Sequence, residues 1–195
     1  MGKDKLGLML NGQTLADRGI AVLHTCFKEV LISMRPGQAD IFQLSEKLIG
    51  RPTLIEDPIP NKGPLGALYA ALQASAHDWV FLAACDMPCF SPDSIRELAQ
   101  FLPRTHDKNP PQADEKPRPQ LIVARAHGIY QMLHGFYHRS LLPIVQEHLI
   151  HNRLKLSDLI PEGHAHIVDW RTDEACFKNI NTPQEWEEFL AKAKE

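Results

Sequence analysis

The chain has 195 residues, 44% of them hydrophobic and 23% charged, and a formal net charge of −3 at pH 7. That length fits one domain able to bury a core without disulfide or metal staples. The charge excludes a global basic field of the kind that holds nucleic acid, so an anionic ligand must be met by a local site.

The chain opens Met1-Gly2-Lys3-Asp4-Lys5. Termini are commonly polar like this, yet a glycine with two lysines also suits a phosphate loop. Ala16, Gly19, Ile20, Leu23 and Phe27 fall at helical spacing. The apolar runs Glu29 to Ser33 and Thr53 to Glu56 predict short strands. Gly63 to Leu72 predicts a helix: Leu65, Leu68 and Leu72 share a face, Pro64 suits the first helical position, and Gly63 can cap. Trp79 to Cys85 is the longest apolar run and predicts a buried strand, far short of the ~20 residues of a membrane helix. Ser91-Pro92-Asp93 starts a helix with Ile95, Leu98, Ala99 and Leu102 as its core stripe.

Residues 103–119 hold five prolines and many charges, which predicts a solvated loop or insertion. Leu121 to Ala124 resumes the strand pattern. His127-Gly128 predicts a turn into a second strand, Tyr130 to Phe136. Ser140 to Leu149 and Arg153 to Ile160 read as helices, and Ala165 to Trp170 as a strand. Thr182-Pro183-Gln184-Glu185 is a capping box, followed by the stripe Trp186, Phe189, Leu190 and Ala193. No signal-peptide pattern stands at the start. Cysteines 26, 85, 89 and 176 form neither a disulfide framework nor CxxC pairs. They read as free thiols in a reducing cytoplasm.

This alternation predicts a single α/β domain over 1–195, with a mostly parallel sheet and helices on both faces. Ligands in such sheets lie outside the carboxyl ends of the strands. Asp86 stands there: seven apolar residues deliver its carboxylate, and Pro88 prevents simple continuation. A carboxylate so placed suits Mg2+ bound together with substrate phosphates, and equally a turn-capping Asp. Gly63-Pro64-Leu65-Gly66 opens a helix, where anions are favoured, or makes a plain strand-to-helix turn. Asn179 and Asn181 precede the capped helix; the Asn amide oxygen can complete a hard metal's shell, or simply cap. His134 and His138 lack the Glu of a zinc-protease helix. His164 and His166 alternate, so both could face one side of a strand. The ten histidines read as surface or packing residues. There is no GxxxxGK[ST] loop and no GxSxG elbow.

Taken in order, MGKDK, Leu10-Asn11-Gly12, Ile55-Glu56-Asp57, GPLGAL, CDMP and NINTP resemble the molybdenum cofactor guanylyltransferases nearly end to end. The resemblance implies a Rossmann-like, three-layer nucleotidyltransferase. It implies transfer of GMP from GTP to the terminal phosphate of a molybdopterin-type cofactor, with loss of pyrophosphate. Asp86 resembles the family's Mg2+-binding Asp, and Lys5 its phosphate-binding Lys. Asp57 resembles a nucleotide contact, as do Gly63, Pro64, Leu65 and Gly66 of the glycine turn. Asn181 matches the position of a second metal ligand. The resemblance also implies handover of the product to molybdoenzymes or their chaperones; charge and hydropathy predict no nucleic acid or membrane partner, and the cysteines a cytoplasmic setting.

Three departures stand out. Ser33 occupies the place where family members carry a nucleotide-contacting Asn. Met132 stands where proline is frequent. MGKDK matches only the back half of a loop of the form LAGGxSxRMGxDK, so the expectation is that Met1 is an internal methionine of a longer reading frame. Rival expectations are a CTP-dependent cytidylyltransferase, and a non-catalytic binding protein motivated by the missing half-loop.

Overall fold

In the strand Leu121–Ala126, alternate side chains enter two different cores. Leu121 and Val123 point to one side, Ile122 and Ala124 to the other, and all four are fully buried. A strand apolar on both faces needs a helical layer on each, which is the three-layer α/β arrangement. The computed structural model describes residues 9–10, 13–37, 50–84, 87, 91–103, 117–171, 174–177 and 185.

In chain order the elements are β1 (Met9–Leu10), β2 (Gln13–Thr14), α1 (Leu15–Cys26), β3 (Leu31–Met34), β4 (Thr53–Glu56), α2 (Gly63–Ala74) and β5 (Trp79–Ala83). Then come α3 (Pro92–Ala99), β6 (Leu121–Ala126), β7 (Ile129–His138), α4 (Leu142–Ile150), α5 (Leu159–Glu162) and β8 (His166–Asp169). β1 and β2 form a small antiparallel pair. β3 and β4 pair in parallel, with Ser33 opposite Ile55. The remaining strands make a sheet in the order β5-β7-β6-β8. In it β6 and β8 run parallel, and β7 is antiparallel to both neighbours. The four-stranded sheet is therefore mixed. β7 returns directly from β6 through the tight turn at His127 (φ 49°) and Gly128 (φ 76°), and a two-residue turn of this kind can only join antiparallel strands.

Local chemistry sets the helix starts. Thr14 accepts from the N–H of Asp17 at 3.0 Å, and Asp17 accepts in return from Thr14, a capping box for α1. Ser91 and Ser94 do the same for α3, ahead of Pro92. α2 packs against β3, β4 and β5. Its far end is held at one corner. Glu29 accepts from the Ser75 hydroxyl at 2.7 Å and the Ala76 N–H at 3.2 Å. Arg139 donates to the carbonyls of Ser75 and His77.

Some elements differ from expectation. The run from Trp79 forms a strand only to Ala83 and is half-buried throughout, because β5 has a hydrogen-bonded neighbour on one side only among the described residues. The expected helix over Arg153–Ile160 starts late. Asn152 takes a left-handed turn (φ 55°) and Lys155 is extended, so a 3-10 turn forms at Leu156–Asp158 and α5 follows. His164 (φ 47°) sits in the turn before β8, so it does not share a strand face with His166. Cys26 is a free thiol. Lys5, Asp86, Asn181, the capping box apart from Glu185, and residues 104–116 of the proline-rich segment lie outside the described residues.

Candidate functional site

The parallel pair β3–β4 ends with two polar side chains at its carboxyl edge. Ser33 lies near the end of β3, and Asp57 directly follows β4. The Asp57 N–H donates to the Met34 carbonyl at 2.9 Å, which continues the ladder one residue past the strand. The Ser33 hydroxyl donates to Asp57 Oδ1. The structure thus brings together two of the residues singled out for nucleotide contact. With its proton so used, Ser33 can offer a ligand only an acceptor oxygen, whereas Asp57 keeps a second carboxylate oxygen. Beside them, Glu56 accepts from the Gly37 N–H at 3.3 Å, closing the loop after β3 onto β4.

The chain then turns into α2 through Asn61 (φ 61°) and Gly63 (φ 58°), both left-handed. A Cβ on Gly63 would meet nothing within 4 Å, so glycine is needed there for its backbone and not for space. Gly63 does not cap: Lys62 holds that position and makes no side-chain cap bond. Lys62 Nζ instead donates to Asn152 Oδ1 at 3.0 Å. Gly66 has a different constraint, since a Cβ there would lie 3.0 Å from the Lys62 side chain. The Leu65 side chain is fully buried in the core. Pro64 has no N–H, and the Gly66 N–H faces the Lys62 carbonyl at 3.4 Å. Of the four residues, Gly63 and Leu65 are left to present backbone N–H groups at the open helix end, where negative charge is favoured.

A cavity of about 590 Å³ has Pro64 of this helix start in its lining. Pro64, Met87, Ile129, Tyr130, Lys155 and Phe177 are among its walls. Its lining is mostly apolar, with a few polar groups. Sequence reasoning noted the His127-Gly128 turn but not its role as a wall. The signal was there in Ile129, an apolar residue at a hairpin tip, which is 65% exposed.

Tyr130 in that wall is held from behind. Arg125, its cross-strand partner, contacts the phenol and donates to Asp169 Oδ1 through Nε at 2.7 Å. The hydrogen bond from Arg125 keeps the Asp169 carboxyl below the usual carboxylate range.

Two buried histidines stay outside this chemistry. His134 is fully buried against Phe81, Phe177 and Trp170. Burial pushes its pKa down to about 4, against a backbone hydrogen bond with Ser94 that acts the other way. His148 is also fully buried and pairs through Nε2 with Glu162 at 3.0 Å. Among the described residues no group of three or more His, Cys, Asp or Glu could hold a metal ion.

Residues 1–166 match the family model described as the MobA-like NTP transferase domain. The chain is 29% identical to the molybdenum cofactor guanylyltransferase of Vibrio cholerae, over 97% of this chain and 84% of that protein. It is 24% identical to a probable molybdenum cofactor guanylyltransferase of a Geobacillus species, over 97% of this chain and 91% of that one. Among solved structures, it resembles the molybdopterin-guanine dinucleotide biosynthesis protein A of Archaeoglobus fulgidus, with a TM-score of 0.70 at 17% identity over 99% of this chain and 92% of that chain. It also resembles 2-C-methyl-D-erythritol 4-phosphate cytidylyltransferase from Thermus thermophilus, with a TM-score of 0.66 at 16% identity over 100% and 95%. At these identities the structural likenesses establish a shared nucleotidyltransferase fold. Together with the family match over most of its length, this makes the chain a nucleotidyltransferase that belongs to the MobA-like NTP transferase domain family.

Proposed function

We propose that this protein transfers GMP from GTP to a molybdopterin-type molybdenum cofactor. An oxygen of the acceptor's terminal phosphate attacks the α-phosphorus of GTP. The bond from that phosphorus to the bridging oxygen of the β-phosphate breaks. Pyrophosphate leaves with the electron pair, and the product is the guanine dinucleotide form of the cofactor. The observation that carries this reading is the match, over 97% of the chain, to proteins named molybdenum cofactor guanylyltransferase.

Transfer of this kind needs positioning and charge neutralisation and no covalent nucleophile of the protein's own. Asp57, oriented by Ser33, accepts hydrogen bonds from the nucleotide. The backbone at Gly63 and Leu65 faces its phosphates. Lys5 neutralises the triphosphate as a point charge. Asp86 and Asn181 offer a carboxylate and an amide oxygen, the hard donors that suit Mg2+. When bound, that ion supplies charge neutralisation at the phosphates. The free thiol of Cys26 is in keeping with a reducing, cytoplasmic setting. The product would then pass to molybdoenzymes or their chaperones.

The test uses protein produced from its natural locus, with molybdopterin-type cofactor, Mg2+ and either GTP or CTP. The expected result is pyrophosphate release and a guanine dinucleotide product by mass spectrometry with GTP only. Turnover with CTP alone would make it a cytidylyltransferase. Absence of turnover with both nucleotides would overturn the enzymatic reading.

A further inference from the structure

The turn into α2 is tied across the molecule by one side chain. Lys62 lies between two left-handed residues, Asn61 (φ 61°) and Gly63 (φ 58°). Its Nζ donates to Asn152 Oδ1 at 3.0 Å, a bond that spans 90 residues. The side chain starts close against Gly66, where an added Cβ would lie 3.0 Å from Lys62 Cβ. Asn152 is itself left-handed (φ 55°) and belongs to the loop after α4. That loop is fastened at its base. The Asn152 N–H donates to the Leu149 carbonyl at 3.3 Å, and the Arg153 N–H to the His148 carbonyl at 2.8 Å. Arg153 Nη1 and His148 Nε2 both meet Glu162 Oε1 of α5, at 3.2 Å and 3.0 Å. Further along, Leu154 to Ser157 line the same cavity as Pro64 of α2.

The choice of partner for Lys62 matters. At the start of α2 its ammonium sets a positive charge beside a helix end that is already positive. Asn152 is a neutral acceptor, so this bond leaves the charge uncompensated. An anion at the α2 start relieves that opposition. An ammonium has three donors, and the one given to Asn152 leaves two. The tie can therefore stay closed with an anion bound, and it is firmer then than without one. Resting on the nucleotide reading of the α2 start, we infer that Lys62 and Asn152 are positioning residues that pass nucleotide binding on to the loop after α4. Phosphates at the α2 start hold Lys62, Lys62 holds Asn152, and the loop opens less often. In a two-substrate transfer this sets one wall of the neighbouring cavity more firmly once the nucleotide is in place.

Amide hydrogen exchange with GTP and Mg2+, and no acceptor, reads the coupling without turnover. In the wild-type protein GTP is expected to slow exchange at residues 63–66. It should also slow the bonded amides of Arg153 and Asp158 roughly three- to tenfold, the scale of one hydrogen bond to a charged group. Lys62→Met keeps the stem and loses the donor. Asn152→Gly keeps the left-handed backbone and loses the acceptor. Both should retain the slowing at residues 63–66 and lose it at Arg153 and Asp158. Asn152→Asp keeps an acceptor and should keep the slowing. A role confined to stability would change exchange without GTP and leave the GTP-induced difference intact. The inference is overturned if GTP protects residues 63–66 of the wild type but leaves the loop unchanged or faster. It is equally overturned if Lys62→Met or Asn152→Gly keeps the loop effect, or if Asn152→Asp loses it. Absence of slowing at residues 63–66 in the wild type would overturn the nucleotide reading together with the inference. Coupled slowing without GMP transfer would sink the proposed reaction and leave the coupling standing.

Discussion

The Ser33 hydroxyl donates to the Asp57 carboxylate and joins two strand ends 24 residues apart. The donor comes from β3 and the acceptor from the residue after β4, so the bond lies at the edge where α/β sheets meet their ligands. It fixes one carboxylate oxygen and aims the other.

Removing the Ser33 hydroxyl should loosen Asp57 without touching the transferred phosphate. Ser33→Ala is expected to raise the KM for GTP roughly three- to tenfold with little change in kcat. Asp57→Ala should raise it further. Steady-state kinetics decide; an unchanged KM in Ser33→Ala would show that the bond serves only the fold.

Asp86→Asn removes a negative charge from the site proposed above for Mg2+. The expected loss in kcat is about a hundredfold or more, the scale of one lost electrostatic contact to a developing charge. The Mg2+ concentration for half-maximal rate should also rise. Pyrophosphate release measured across a Mg2+ series reads both.

Gly135 allows β6 and β7 to approach closely. A Cβ there would lie 2.6 Å from Val123 Cγ1 and 2.9 Å from the Ile122 carbonyl oxygen. The backbone oxygen cannot move aside without breaking the ladder. Gly135→Ala is therefore expected to cost about 1–3 kcal/mol, lowering Tm by about 2–4 °C per kcal/mol in a thermal melt.

His134 makes stability depend on pH. Its folded pKa of about 4 lies below the ordinary value of 6.5, because burial disfavours the charged ring. Between these values the unfolded chain binds the proton and the folded chain does not. Stability is thus complete above about pH 6.5 and falls as pH drops towards 4. The full loss is on the order of 3 kcal/mol for such a shift. Urea unfolding at pH 7, 5.5 and 4 should show it, and His134→Phe should flatten the slope across that window.

Much of the scaffold was legible because its determinants are local. Thr53–Glu56 forms the strand its run predicts, Leu65, Leu68 and Leu72 are the buried face of α2, and Ser91 caps α3. Helix period and capping act over three or four residues, so a single segment carries the signal. The site was legible only in part. Asp57 stood out only through the family resemblance, and its bond to Ser33 depends on strand register, which neither segment specifies alone. The GPLG turn read as four equivalent contacts. The structure separates them, because Leu65 must fill the core and Pro64 has no donor. The cavity wall was the least visible, since Ile129 and Lys155 come together only after the hairpin and α4 are both in place.

The corner at Ser75 has a consequence for how the molecule comes apart. Its bonds span 46 residues to Glu29 and 64 residues to Arg139, one partner leading into β3 and the other following β7. Among the described residues, the β3–β4 pair and the four-stranded sheet share no strand pairing. Contacts that close such long loops form only after both ends are ordered. The clamp on the end of α2 therefore links the two sheets into one cooperative unit, and amide exchange at Ala76 reports whether they open together or one at a time.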